Sequence, residues 1–310
     1  MEITTLFLRA IILMSMGIFI ANIIIESNIM NKLQFIIKPI CIKSHLPKEC
    51  VMSILTCLIS PSAGKTTLSE FYRDGKINKK EVVLTAVMST FATVVGESLI
   101  RIHAPIAIVF MGPILGGIYI LLGLLAAFIQ SFSAFLIARY IIPPHLKNQE
   151  CSFVMDEKRK VSNIEIIKNA FKKATVTIKK IFPIMIVTFL SMHILINFNF
   201  MEHIRTLFEP IFLHIGLPGE SVTVLIAQLL HFSAGYATVS LLLTENVLTS
   251  KQAIISLLIG NILMITLIYV KFSFPMYISL FGKFGMKIAF INYMASIVTK
   301  ILIIFIIFQF

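Results

Sequence analysis

Charge is scarce in this sequence: 14% of its 310 residues are Asp, Glu, Lys or Arg, where a soluble globular chain carries about 25%. With 57% apolar residues and a mean hydropathy of +0.93, the chain has more apolar surface than one water-solvated core can hide. That excludes a water-soluble enzyme, a disordered tail and a small disulfide-stapled domain. Cysteine is scarce too. Cys41, Cys50, Cys57 and Cys151 make no C-x-x-C pair and no Cys/His metal spacing. Cys50 and Cys57 share a helix face, where small apolar packing is the simpler reading and a pair of soft ligands the other. There is no H-E-x-x-H, no carboxylate pair and no nucleophile–base spacing, so neither an enzymatic reaction nor a resident metal or cofactor is expected. Acids are fewer than bases, 15 against 27, for a net charge of +12. The bases lie between apolar spans rather than on a soluble patch. They therefore point to topology and anionic lipid headgroups, not to nucleic acid.

What is present is a repeat. Displacing the chain by 171 residues aligns 39–80 with 210–251 without a gap, and 13 of these 42 positions are identical. The shared landmarks are a Pro-Ile pair, an L-P-x-E start and an S-A-G-x-x-T-x-S core. Apolar composition would repeat Leu and Ile, but not Pro, Gly, Glu and Ser in register. The expected division is a first repeat over 1–140 with a hairpin at 48–74, a basic linker at 141–173, and a second repeat over 174–310 with a hairpin at 219–245.

Each half reads alike. An apolar span of about 20 residues (3–25; 181–198) can cross a hydrocarbon core of about 30 Å. No signal-peptide cleavage pattern precedes the first span, so it is expected to be retained. An interfacial segment follows, with Met30, Leu33 and Ile37 or Ile204, Phe208 and Phe212 at helical spacing. Next comes an apolar stretch interrupted at its middle: 51–60 and 66–72 flank P-S-A-G-K, and 222–232 and 237–243 flank S-A-G-Y. Each arm covers about half a bilayer. Two further crossings (82–100 and 114–142; 253–270 and 285–308) complete each half, the second preceded by a Pro/Gly-broken segment.

Read as re-entrant hairpins, the interrupted stretches leave three crossings per half, so the halves are inverted. With both termini outside, 22 of the 27 Lys and Arg fall on the cytoplasmic side. The second half's corresponding loops have lost Lys and gained Glu202, Glu209 and Glu245. Parallel halves with eight crossings would put Lys32, Lys38, Lys43 and Lys48 outside. The expected fold is thus an all-α polytopic membrane protein with two inverted-topology repeats, about six transmembrane helices and two re-entrant helical hairpins. In the linker, Ser162 to Glu165 form a capping box. Ile164, Ile167, Phe171, Ala174 and Ile178 then make an apolar stripe edged with Lys, so that 158–180 lies on anionic headgroups of the inner leaflet.

Gly64-Lys65-Thr66 imitates a phosphate-binding loop, but that motif needs a glycine at position 59, which is Ile59. Nucleotide hydrolysis is not expected. Non-helical backbone at membrane depth survives only when buried in protein or lining a wet cavity. The small tips therefore suggest a polar site between the two hairpins, with Gly64 and Gly235 supplying both close approach and unusual backbone angles. The candidate solute-binding residues are Ser62, Gly64, Lys65, Thr66 and Thr67 of one tip and Ser233, Gly235, Tyr236 and Thr238 of the other. Lys65 either faces a water-filled cavity or snorkels from a shallow tip. Glu97, His231 and Asn261 are candidates for ion coupling. Glu97 could equally pair with Arg101, and each of these polar groups could be a helix–helix contact.

The run from Ser62 to Glu97, with Gly64, Thr66 and the A-T-V-V-G stretch at 92–96, resembles the gate, or nucleoside-recognition, superfamily. That grouping includes concentrative nucleoside transporters, the membrane part of GTPase-linked ferrous-iron transporters and spore-maturation membrane proteins. Where the nucleoside transporters carry Gln and Glu for the base, this sequence has Lys65 and Thr67. The resemblance implies a hairpin-gated transport core. The expected function is secondary transport of a small polar solute, nucleoside-like or anionic, coupled to H+ or Na+, in a chain that forms a homo-oligomer or stands alone. The alternative is a non-transporting membrane component that binds or assembles another membrane protein.

Overall fold

The computed structural model describes residues 43–96, 103–143, 167–169, 171–172, 175 and 216–309. The spans at 3–25 and 181–198, the interfacial segments, Glu97 and most of the linker lie outside the described residues. What is described is helical throughout: α1 (Lys48–Ile59), α2 (Pro61–Arg73), α3 (Lys79–Thr93), α4 (Ala104–Ile141), α5 (Ser221–Leu230), α6 (Phe232–Thr244), α7 (Ser250–Ile268), α8 (Phe274–Phe281) and α9 (Lys283–Gln309). A π-helical turn, Tyr269–Ser273, joins α7 to α8.

Three helical stretches are long and apolar enough to cross a bilayer: Ala104–Ile141, Ser250–Phe281 and Lys283–Gln309. Their outward faces carry Ile114, Leu121, Phe128, Phe132, Phe290, Val298 and Phe305 exposed. In water such a surface would be untenable; in lipid it is the solvated face. The chain is a multi-pass membrane protein.

The order of elements in the first set recurs in the second. Extended residues break the paired helices at Ser60 (φ −152°, ψ 116°) and His231 (φ −163°, ψ 140°). The helix after each pair starts with a capping box, Asn78 with Glu81 and Thr249 with Gln252. Each set then reaches a glycine with positive φ, Gly112 at 81° and Gly282 at 61°. These backbones suit glycine alone, and they let the chain double back. Gly116 lies against the Ala107 carbonyl and Gly285 against the Tyr277 carbonyl. The long stretch Ala104–Ile141 is therefore a short arm and a long helix meeting at Gly112–Pro113.

Two apolar cores result. One gathers α1, α2 and α3 with Ala134, Phe135 and Ala138 of α4, Tyr277 and Phe281 of α8, and Ile288 and Ala289 of α9. The other gathers α6 and α7 with Ile106, Ala107 and Tyr119 of α4 and Ile303 of α9. Helices α4 and α9 run through both. At one end, Asn78, Lys79 and Lys80 share a groove with Ile141, Ile142 and Pro143, and Lys79 Nζ lies 5.8 Å from the Phe284 ring. At the other end of α9, Lys251 Nζ donates to the Phe308 carbonyl at 3.3 Å. The bases of the two broken helix pairs thus lie at opposite ends of α9. Residues 167–169, 171–172 and 175 are helical, with Ile167 and Phe171 exposed.

Gly112→Ala is expected to cost about 1–3 kcal/mol, since its φ belongs to a region only glycine occupies cheaply. No atom lies within 4 Å of a Cβ at Gly112 or at the helical Gly117, so Gly117→Ala isolates the backbone effect. Thermal unfolding in detergent should show the first destabilised and the second equal to or above the parent.

Candidate functional site

The first tip is built by a serine and a proline. Ser60 Oγ accepts from Ala63 N–H at 3.4 Å, and Pro61 opens α2, where its missing N–H costs nothing. The break is therefore a single residue. Pro61 to Lys65, expected in the gap, instead form the first turn of α2, continuous with Thr66 and Thr67. Thr66 and Thr67 hydroxyls donate to the Ser62 and Ala63 carbonyls at 2.9 and 3.0 Å. Ser62 is exposed, while Gly64 is buried against Cys57 and the Ser53 carbonyl of α1. Gly64 and Gly235 both have ordinary helical φ, which corrects the expectation of unusual backbone angles there. Their role is close approach, Gly235 lying against Gln228 of α5. Cys50 and Cys57 are buried and not disulfide-bonded, and Cys57 packs against that same glycine.

The second tip uses a different cap. Ser233 N–H points at His231 Nδ1 at 3.3 Å, and Ser233 Oγ lies 2.6 Å from the same nitrogen. With an N–H donated to it, Nδ1 is the acceptor and the ring proton sits on Nε2. Ser233, Gly235, Tyr236 and Thr238 are all buried, and Thr238 donates to the Ala234 carbonyl at 2.9 Å.

Lys65 and Tyr236 occupy equivalent places in the repeat, and each reaches into the opposite half. Lys65 Nζ stands 5.1 Å from the ring centre of Tyr277 in α8. The Tyr236 hydroxyl is 2.9 Å from His103 Nδ1, at the start of α4. Its ring packs edge-on to Tyr119 at 5.5 Å. Asn261 Nδ2 donates to the Tyr119 hydroxyl at 3.4 Å, and Phe232 lies between the His103 and His231 rings, 4.4 and 4.2 Å from them. The structure thus joins Tyr236, Asn261, His231 and Ser233 in one neighbourhood. Lys65 and its neighbours belong to the other core.

The profile of the Gate family, described as nucleoside recognition, matches the chain twice, over residues 7–109 and 178–284. The chain belongs to the Gate family. Three curated relatives come from Methanocaldococcus jannaschii. Uncharacterized protein MJ0880 is 44% identical over the whole of both chains. Uncharacterized protein MJ0871 is 29% identical over 97% of this chain and 92% of its own, and uncharacterized protein MJ1556 is 30% identical over 93% and 88%. No solved structure matches. Family membership and the membrane-length helices give a transport-related membrane protein rather than an enzyme.

Sequence reasoning passed over His103, Tyr119 and Tyr277, and also a polar bridge between the halves of this Gate protein. Gln130 Nε2 of α4 donates to Asn292 Oδ1 of α9 at 2.8 Å, and Thr90 Oγ1 of α3 donates to the same oxygen at 3.1 Å. Ser131, next to Gln130, accepts from Phe91 N–H at 3.0 Å and donates to the Met88 carbonyl at 2.9 Å. Amides inside apolar spans were the available signal, because an amide facing lipid finds no partner. Beside the bridge, the Tyr277 hydroxyl is buried with no hydrogen-bond partner among the described residues. No group of three His, Cys, Asp or Glu able to hold a metal ion occurs among the described residues.

Asn292→Leu and Gln130→Leu should each destabilise the protein, because each removes the amide–amide hydrogen bond and leaves the surviving buried amide fewer partners, chiefly Thr90. Unfolding of the two single variants and the double variant in bicelles should give a coupling of about 0.5–2 kcal/mol. Additive losses would show that the bridge does not hold the halves.

Proposed function

We propose that this Gate-family protein is a secondary transporter of a small polar solute, bound between the hairpin tips at the interface of two inverted repeats. The observation that carries this reading is the crossed docking of equivalent residues, Lys65 onto Tyr277 and Tyr236 onto His103. Each hairpin's polar contact with the opposite half is made by one tip residue, so exchanging that contact can move the hairpin relative to the other half. Release of one or the other opens the intervening space from different ends of α9. Arms of 12 and 13 residues, and of 10 and 13, extend about 15–20 Å. Each arm is shorter than about 30 Å, and the second arm packs back along the first, at Gly64 against α1 and at Gly235 against α5, so in this reading each pair returns to the side it entered.

The side is given by charge. Lys76, Lys79, Lys80, Arg139, Lys283 and Lys287 belong to the basic end of the described helices, whereas Glu245 lies at the base of the second pair. This supports a cytoplasmic basic end, with the 141–180 linker on the same side, its 158–180 segment on anionic headgroups, and both termini outside. The three membrane-length stretches contain Arg139 or Lys but neither Asp nor Glu, which favours an anionic solute, or a nucleoside-like one, over a cation. Ser62, Thr66, Thr67 and Lys65 would meet it from one tip, and Ser233 and Tyr236 from the other as that hairpin opens. Glu97, His231 and Asn261 remain candidates for ion coupling, and assembly as a homo-oligomer is compatible with the exposed helix faces. The buried Ser233 and Gly235 also suit the second reading, a non-transporting component that binds or assembles another membrane protein.

Single cysteines at Ser62 and Ser233, in a chain without the four native cysteines, separate the two. In liposomes, an impermeant maleimide should label position 62 readily and position 233 slowly. Added uridine or inorganic phosphate should exchange the protection and the side from which each is reached. Position 233 dark from both sides in every condition would leave the assembly reading.

A further inference from the structure

We propose that His103, held by Tyr236, is the site that binds a coupling proton, so that opening of the second hairpin and proton uptake are one event. This rests on the transport reading and names its driving ion. His103 stands at the foot of α4, in the first half, and its Nδ1 meets the Tyr236 hydroxyl of the second half at 2.9 Å. That contact is the hydrogen bond that docks the second hairpin, at the tip residue, onto the other half. Behind Tyr236 the polar chain continues to Tyr119, whose hydroxyl receives Asn261 at 3.4 Å. Gln228 is buried nearby with its Oε1 lacking a hydrogen-bond partner among the described residues.

The chemistry of the surroundings selects a proton. The groups around His103 are Tyr236 from α6, with Tyr119 behind it on the far side of that ring, and His231, across Phe232, from the break between α5 and α6. From α7 comes Asn261, a neutral amide. Helices α4 to α7 contain no Asp or Glu, and their charged residues, Arg139 and Lys251, stand at far ends. Glu97 and Arg101 precede His103 in the chain, outside the described residues. A metal ion would need further ligands, and no group of three is present among the described residues. With hairpin and helix closed, the imidazole and phenol share one proton position between them, and an added charge meets no carboxylate among the described residues of α4 to α7. When the hairpin lifts, water reaches both ring nitrogens and the imidazole takes a proton from it. Reclosure returns that proton to the solution on whichever side is then open. By linkage, whatever the open state binds more tightly shifts the population toward opening. Histidine is the side chain whose ordinary range permits this near neutral pH. The equivalent contact in the first hairpin, Lys65 on Tyr277, carries a permanent cation, so the two gates would respond differently to pH.

The test uses the full chain in liposomes with one cysteine at Ala237, the residue after Tyr236. Maleimide labelling is followed from about pH 5.5 to about 8, the span in which an imidazole titrates. Rates are divided by those at Tyr140→Cys, an exposed control that cancels thiol ionisation. The ratio should rise about fivefold or more toward acid pH. His103→Gln should flatten it, and Tyr236→Phe, which keeps the ring and loses the hydroxyl, should move its midpoint. Should His103→Gln fail to fold, the Tyr236→Phe shift carries the test. A profile flat in the parent, or unchanged in both variants, overturns the proposal. If uridine or phosphate still changes the labelling while pH does not, transport stands without this proton site. If position 237 stays dark at every pH and with both solutes, the transport reading falls with it.

Discussion

Every backbone N–H and C=O at membrane depth must find a partner inside the protein, and the two broken helix pairs are shaped by that requirement. A helix interrupted in hydrocarbon exposes the first amides of its second arm. Here the interruption is held to one extended residue on each side, and that residue supplies the cap from its own side chain: Ser60 Oγ for Ala63 and His231 Nδ1 for Ser233. Once the breaks are satisfied locally, each tip packs on its own first arm through Gly64 or Gly235 and presents its next residue to the other half. The docking contact is a lysine over a ring on one side and a phenol against an imidazole on the other.

That crossed arrangement needs a frame that does not move with the tips. Helices α4 and α9 pass through both apolar cores, and the Thr90–Gln130–Asn292 bridge ties them together between those cores. Interhelical hydrogen bonds in membranes are individually modest, roughly 0.6 kcal/mol on average. The frame therefore depends on close packing as well. Gly116 and Gly285, set against backbone carbonyls where no side chain fits, supply it at the two reversals. The tips add to their apolar packing one or two polar contacts each with the opposite half, and these are the contacts a ligand or a proton can exchange.

Much of this was legible in the sequence, and the failures have identifiable causes. The S-A-G core, repeated in register, gave away both breaks, and the apolar runs gave away the long helices. The position of the break was misread by a few residues because Pro61 reads as an interruption, whereas at the first helical position it begins the arm. Gly64 and Gly235 were credited with backbone freedom they do not use. A glycine at a tight crossing and a glycine with positive φ look the same in a sequence, while Gly112 and Gly282, which do have positive φ, stood in segments noted only as broken. Partners were the least legible. Tyr236 with His103, and Gln130 with Asn292, are separated by 133 and 162 residues, and no periodicity reports such pairings. The repeat already set Tyr236 opposite Lys65, but that both reach into the other half was not legible, since the two share position and not chemistry.

The central claim is that the tips are gates docked on a fixed frame. The most direct measurement is the distance between nitroxides at Ser62, exposed on the first tip, and Met294, exposed on α9, by electron–electron double resonance in lipid. The account predicts two populations whose proportions change with solute or pH, while a pair within the frame, at Leu121 and Met294, keeps one distance. A single unchanging distance from Ser62 under every condition would contradict it.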